Sequence, residues 1–246
     1  MNQLTSLCFL LLAAGSLNAA ESIYAPEVGE GRYIVTPQAA ASPRVNGPSI
    51  FGVRPGNPFL YAIPATGERP MEFSVENLPA GLTVNPKNGH ITGRIASTEK
   101  KTYKVTLQAK NSKGSDEKAF RIVVGDQIAL TPPLGWNSWN CWHQKVSQAK
   151  VLESAKAMSD AGLQRVGWMY INMDDGWQAK RGGKHNAVMP NTKFPDMKGM
   201  VDDIHAMGFK AGIYHTPWVG SYAGYCGGSS NQQDGHDWPT DSVDGV

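Results

Sequence analysis

Three short clusters concentrate the side chains able to do chemistry: Pro133-Leu134-Gly135-Trp136-Asn137-Ser138-Trp139, Asp174-Asp175-Gly176-Trp177 and Tyr214-His215-Thr216-Pro217-Trp218. They set indole and phenol rings beside carboxylate, amide and hydroxyl groups. That combination suits a sugar, because an aromatic face stacks on the apolar C–H side of the ring while acceptors take its hydroxyl protons. Of the seven tryptophans, Trp136, Trp139, Trp142, Trp177 and Trp218 fall in or beside these clusters. An Asp-Asp pair is ordinarily a solvated turn; here it follows an apolar run directly and precedes Gly-Trp, the setting of a binding pair. Asp174 and Asp175 are not read as two catalytic carboxylates. A retaining pair flanks the scissile bond at about 5 Å, and adjacent residues leaving one strand do not straddle a sugar. The six histidines (His90, His143, His185, His205, His215, His236) are scattered, and neither a CxxC nor an HExxH pattern occurs, so no metal site is predicted.

The elements that would position these clusters are legible from periodicity. Ser147 is a candidate N-cap, Val151, Ala155 and Met158 follow at helical spacing, and Gly162 is placed to end a helix over about 147–161. Val166 to Met173 is a nearly continuous apolar run, as expected of a strand buried on both faces. Asp196 as N-cap, then Met197, Val201, Ile204 and Met207 on one face and Gly208 as stop, predict a second helix. Phe209 to Tyr214 reads as a further buried strand. Strand, helix, strand, helix, strand implies a parallel sheet, and the three clusters then lie at the C-terminal ends of its strands, where α/β folds build their sites.

Upstream the period changes to two. Tyr103, Val105, Leu107 and Ala109 alternate with polar residues, Asn111 to Gly114 turns the chain, and Phe120, Ile122 and Val124 continue the alternation on a return strand. Asn88-Gly89 is a tight-turn dipeptide between two further short strands, and Phe59, Tyr61 and Ile63 also alternate. Residues 49–125 are therefore expected to form a small β-sandwich. The lysines and arginine between 100 and 121 read as solvated strand faces. Residues 21–48, rich in proline and small residues, read as a linker. Residues 1–20 carry the short apolar run Leu7 to Ala14 and small residues at Ala19 and Ala20, the pattern of a signal peptide, so a secreted or periplasmic location is expected. No later run is long enough to span a membrane. A net charge of +2 from 23 basic and 21 acidic residues gives no polyanion-binding surface, which argues against nucleic acid as partner. Cys8 would leave with the signal; Cys141 and Cys226 are read as small buried residues or as an oxidised pair.

Two resemblances follow from these residues. The run Asn77-Leu78-Pro79-Ala80-Gly81-Leu82-Thr83-Val84, with Asn88-Gly89-His90-Ile91-Thr92-Gly93, resembles the signature of immunoglobulin-like domains attached to bacterial extracellular enzymes. The stretches Leu130 to Trp139, Tyr170 to Trp177, Phe194-Pro195 and Gly208 to Tyr214 together resemble glycoside hydrolase family 27, the α-galactosidases and α-N-acetylgalactosaminidases. The resemblance implies an immunoglobulin-like sandwich followed by the N-terminal part of a (β/α)8 TIM barrel over 127–246, incomplete in this chain. It implies retaining hydrolysis of terminal α-linked galactose without a cofactor. Trp139 is then expected to line the galactose pocket, Asp174 and Asp175 to bind ring hydroxyls, and Tyr214 to sit beside the reacting sugar. The family's nucleophile is an Asp in a Lys-(Tyr/Phe)-Asp motif ending the fourth strand. That motif is absent, and Asp234, Asp237, Asp241 and Asp244 do not replace it. The catalytic pair is therefore expected beyond Val246, since about 250 residues make a full barrel. The alternatives are a non-catalytic sugar-binding or adhesion remnant, or the same chemistry on α-N-acetylgalactosaminides, β-L-arabinopyranosides or isomaltosyl substrates.

Overall fold

The computed structural model describes residues 38–230. The expected signal peptide, the first part of the expected linker and the acidic residues from Asp234 onward lie outside the described residues. The first region is all β. Its strands are β1 (Arg44–Val45), β2 (Ile50–Val53), β3 (Phe59–Ala62), β4 (Ala65–Thr66), β5 (Glu72–Glu76), β6 (Leu82–Val84), β7 (His90–Gly93), β8 (Lys101–Asn111) and β9 (Gly114–Val124). They form a four-stranded sheet in the order β2-β9-β8-β5, a three-stranded sheet in the order β3-β7-β6, and the small pair β1-β4. The alternation in β8 and β9 works as the pleat requires: Val105 lies opposite Phe120 and Tyr103 opposite Ile122. The inward residues Val105, Leu107, Ala109, Phe120, Ile122 and Val124 share one core with Phe59, Tyr61, Phe73 and Ile91 from the rest of the region. Pairing begins at Arg44, inside the proline-rich stretch. Val45 is buried there and its N–H donates to the Asp116 carboxylate at 2.7 Å, a partner 71 residues away that local composition cannot reveal.

The second region is a three-stranded parallel sheet of β10 (Gly135–Asn137), β11 (Tyr170–Met173) and β14 (Lys210–Ile213), in the order β10-β11-β14. Between the strands run α1 (Trp139–Trp142), α2 (Gln148–Asp160) and α3 (Met197–Ala206). The caps are those the sequence indicates. Ser147 accepts from the Lys150 N–H, the Asp196 carboxylate accepts from the Gly199 N–H at 2.9 Å, and Gly162 and Gly208 sit at positive φ beyond the helix ends. α2 buries Val151, Ala155 and Met158, and α3 buries Met200 and Ile204, against Ile171, Met173 and Phe209.

Three expectations need correction. The apolar run from Val166 is extended only from Tyr170. Leu163–Val166 is a 3-10 turn, Gly167 takes φ 99°, and Val166 and Trp168 are exposed. β11 is not buried on both faces: Ile171 and Met173 are buried while Tyr170 and Asn172 are half-buried, so the strand alternates. β14 is not a buried strand either, because it is an edge among the described residues and Ile213 stays 52% exposed. A hairpin of β12 (Gln178–Gly182) and β13 (Ala187–Pro190), absent from the sequence reading, follows the Asp-Asp-Gly-Trp cluster directly.

Lys210 opens β14, and burial lowers its ammonium from 10.5 to about 8. The titratable groups around it include His205, itself lowered by burial and then by Lys210, and the phenols of Tyr61 and Tyr170, both raised chiefly by burial. Between pH 8 and 10 the unfolded chain holds a proton that folded Lys210 has released, so the burial penalty fades as pH rises. Stability relative to Lys210→Met is therefore expected to increase from pH 8 to 10, read from urea midpoints.

Candidate functional site

Register decides what meets at the C-terminal edge. Asn137 aligns with Asn172, and Met173 with Ile213, so the three strands end at one level. The backbone carries this forward one residue: Ser138 N–H donates to Asn172 O at 3.1 Å and Tyr214 N–H to Met173 O at 2.7 Å. Trp139, Asp174 and Tyr214 follow as the residues just past the sheet. All three of the predicted clusters are therefore brought to one rim.

Burial separates the two aspartates. In β11 the residues Ile171 and Met173 share a core with the helices, and past the strand end Asp175 is only 2% exposed. Asp174 stays half-buried, and Asn137 Nδ2 donates to its Oδ2 at 2.7 Å. Ser138 is fully buried beneath, its hydroxyl accepting the Asp174 N–H at 2.9 Å. Asp174 Oδ1 accepts the N–H of Asp175 at 2.7 Å, leaving lone pairs on a half-buried carboxylate available to a ligand. Asp175 is committed differently. Its Oδ1 accepts from Gly176 N–H at 2.9 Å and its Oδ2 from Ala223 N–H at 2.8 Å, so it pins the loop after β14. Gly176, at φ 103°, provides the turn that aims its N–H back at the carboxylate.

The aromatic groups are fixed around this pair. Trp177 is buried and its indole N–H donates to Tyr214 O at 2.9 Å, tying the second cluster to the third. Burial, and after it the negative charge of Asp175, hold the Tyr214 phenol above its ordinary range, and its hydroxyl is bonded by the Tyr222 backbone. Tyr214 is therefore protonated near neutrality and can offer a hydrogen to a sugar oxygen. Trp139 is half-buried, its ring edge-on to His143 at 5.2 Å. His215 sits against Trp177 at 6.1 Å and is kept neutral near pH 7, lowered by burial first and by Arg181 second.

Several functional residues carry no signal of their own in the sequence. Arg181, on the unanticipated hairpin, binds Ser230 Oγ at 2.8 Å, Asn186 O at 2.8 Å and Gly228 O, and so clamps the far end of the 214–230 loop. Its partners lie up to 49 residues away, which no local pattern encodes. Asn137 and Ser138 stand in a recognised cluster, but their roles rest on Asp174, 36 or 37 residues on. Cys141 is exposed and Cys226 buried, and both are free thiols, so the open question of a pairing resolves against a disulfide.

A rim with one accessible carboxylate, a protonated phenol, a positioned indole and an amide carries, on an α/β scaffold, the kinds of group that polyol recognition uses. Neighbouring carboxylates that both accept backbone N–H groups are suited to holding hydroxyls and loops, not to flanking a bond. Comparison with known proteins fits this class. A family model described as alpha galactosidase A matches residues 131–244, and one described as an Ig domain matches residues 42–125. An assigned α-galactosidase B of Aspergillus clavatus is 39% identical over 111 residues, covering 44% of this chain and 25% of the relative. An α-galactosidase of Coffea arabica is 37% identical over 105 residues, 42% of this chain and 28% of the relative. A crystal structure from Bacteroides fragilis, assigned as an α-galactosidase, superposes with TM-score 0.73 at 41% identity over 80% of this chain and 42% of that one. Residues 131–244 thus match the α-galactosidase family, glycoside hydrolases, and those of them that are described carry part of that fold; residues 42–125 match an immunoglobulin-like domain. The chain spans about a quarter of the length of the curated relatives it matches.

If Asp175 holds the loop, Asp175→Asn replaces one acceptor oxygen by an NH2 that faces a backbone N–H. It is expected to destabilise the chain by about 1–3 kcal/mol in urea denaturation and to speed amide exchange at 221–224. Asp174→Asn should leave that loop's exchange unchanged.

Proposed function

We propose that the chain carries part of the galactose pocket of an exported retaining α-galactosidase. The observation that supports it best is the rim itself: Asp174, with lone pairs open, lies beside Trp139 and a protonated Tyr214 at the ends of three in-register strands of the α-galactosidase family. In this reading Trp139 lines the ring, Asp174 accepts from its hydroxyls, Tyr214 stands beside the reacting carbon, and Asp175 supports the site by holding the loop and binds hydroxyls when that loop yields. The barrel is completed, and the two catalytic carboxylates supplied, by sequence following Val246. One carboxylate forms the galactosyl intermediate as the other protonates the leaving oxygen, and the second then deprotonates water to release the sugar with retention. The apolar run Leu7 to Ala14 supports export.

The 246-residue chain is expected to leave 4-nitrophenyl α-D-galactopyranoside intact, whereas a protein extended to complete the barrel hydrolyses it. In the extended protein Asp174→Ala is expected to lower kcat/KM by about 10- to 100-fold, the range a hydrogen bond to a charged group supplies. Hydrolysis by the 246-residue chain at ordinary glycosidase rates would place the catalytic pair within it and overturn the assignment.

A further inference from the structure

The strands that end in site residues begin against the immunoglobulin-like domain. Leu134, immediately before β10, Tyr170, first in β11, and Lys210, first in β14, line one side of a cleft of about 340 Å³ whose other side includes Phe51 and Tyr61. The ammonium of Lys210 lies over the Phe51 ring, 4.4 Å from its centroid. Asn46 Nδ2 reaches Arg165 O at 2.9 Å while also donating to Thr66 Oγ1 at 3.1 Å. The His90 ring fills the space where a side chain at Gly208 would project, and a Cβ at Gly167 would stand 3.5 Å from the Gly47 Cα. The connecting segment is held as well, since a Cβ at Gly52 would meet the backbone of Ile128 at 2.8 Å. Two domains joined by a free tether would not meet glycine against side chain, nor desolvate a lysine between them.

These contacts gather at the ends of the strands away from the rim. Tyr170 precedes Asp174 by four residues of one strand, and Lys210 precedes Tyr214 by four of another, about 13 Å at the rise of an extended chain. Strands of three or four residues have few ladder bonds of their own, so what holds their first residues governs where their last ones stand. We propose that the immunoglobulin-like domain is a positioning module: through Phe51, Asn46 and His90 it grips the N-terminal ends of the strands whose other ends carry Trp139, Asp174 and Tyr214. The inference concerns the strands, and so stands apart from which sugar the rim takes.

The test is amide exchange on the full chain, following 170–173 and 210–213. Phe51→Lys sets a second cation beside Lys210 and is expected to accelerate exchange in both segments about tenfold or more, with 105–109 and 120–124 of the sandwich core still protected. Adding Lys210→Glu places opposite charges across the interface and is expected to bring exchange back to within about threefold of the parent. Rescue from the opposite domain separates a grip from damage to the sandwich. Asn46→Ala, which leaves both cores intact, should loosen 165–168. Unchanged strand exchange in Phe51→Lys with a protected sandwich core overturns the proposal, as does failure of Lys210→Glu to restore it. If Phe51→Lys unfolds the sandwich, the decision falls to Asn46→Ala, where unchanged exchange at 165–168 counts against the grip.

Discussion

A carboxylate with 2% exposure and no ion pair among the described residues has to find its compensation in hydrogen bonds, and Asp175 finds it in two backbone N–H groups. One comes from the next residue but the other, from Ala223, lies 48 residues away, so the charge can be buried only when the loop after β14 closes over the end of β11. Closure then dictates much of the rim. The Tyr222 backbone meets the Tyr214 hydroxyl, Thr216 Oγ1 donates to Gly220 O at 2.9 Å, and Ser221 N–H donates to Tyr225 O at 2.7 Å. Gly227 and Gly228 pass so close to the backbone of 216–219 that no side chain fits at either. The loop is thus built inward from one buried charge.

The difference between neighbouring aspartates follows from what each meets past the end of β11. In the sequence Asp174 and Asp175 are equivalent, two acidic residues leaving one strand. In the fold they meet different partners, Asp174 staying half-buried beside Asn137 and Asp175 buried under the loop. A ligand approaching the rim meets Asp174 directly and Asp175 only through the loop it holds.

Much of the fold was legible because its signals are local. Ser147 and Asp196 cap the helices they precede, Gly162 and Gly208 end them, and the alternation from Tyr103 to Val124 defines the long hairpin. The stretch from Val166 was not, because apolarity records burial or contact and not its geometry: Val166 lines the cleft against the other domain, and Gly167 at positive φ breaks the extension. The β12–β13 hairpin was missed because its strands, carrying Lys180, Arg181 and Met189, are polar or exposed enough to look like loop. At the site, residue types were readable and partners were not. Arg181 to Ser230 and Asp175 to Ala223 are contacts that only the closed chain creates.

One column of side chains shows how tightly sequence and site are joined. On the open face of the sheet Asn137 aligns with Asn172, and Asn172 in turn with Gly212, so an amide lies across the neighbouring strand where a side chain would otherwise stand. A Cβ at Gly212 would collide with the Asn172 amide oxygen, and a displaced Asn172 would press on Asn137 and Asp174 beside it. Glycine in a strand costs backbone entropy and packs nothing itself. Its presence here is explained by the space the polar column needs, which makes Gly212 as much a part of the site as the carboxylate two residues beyond Asn172.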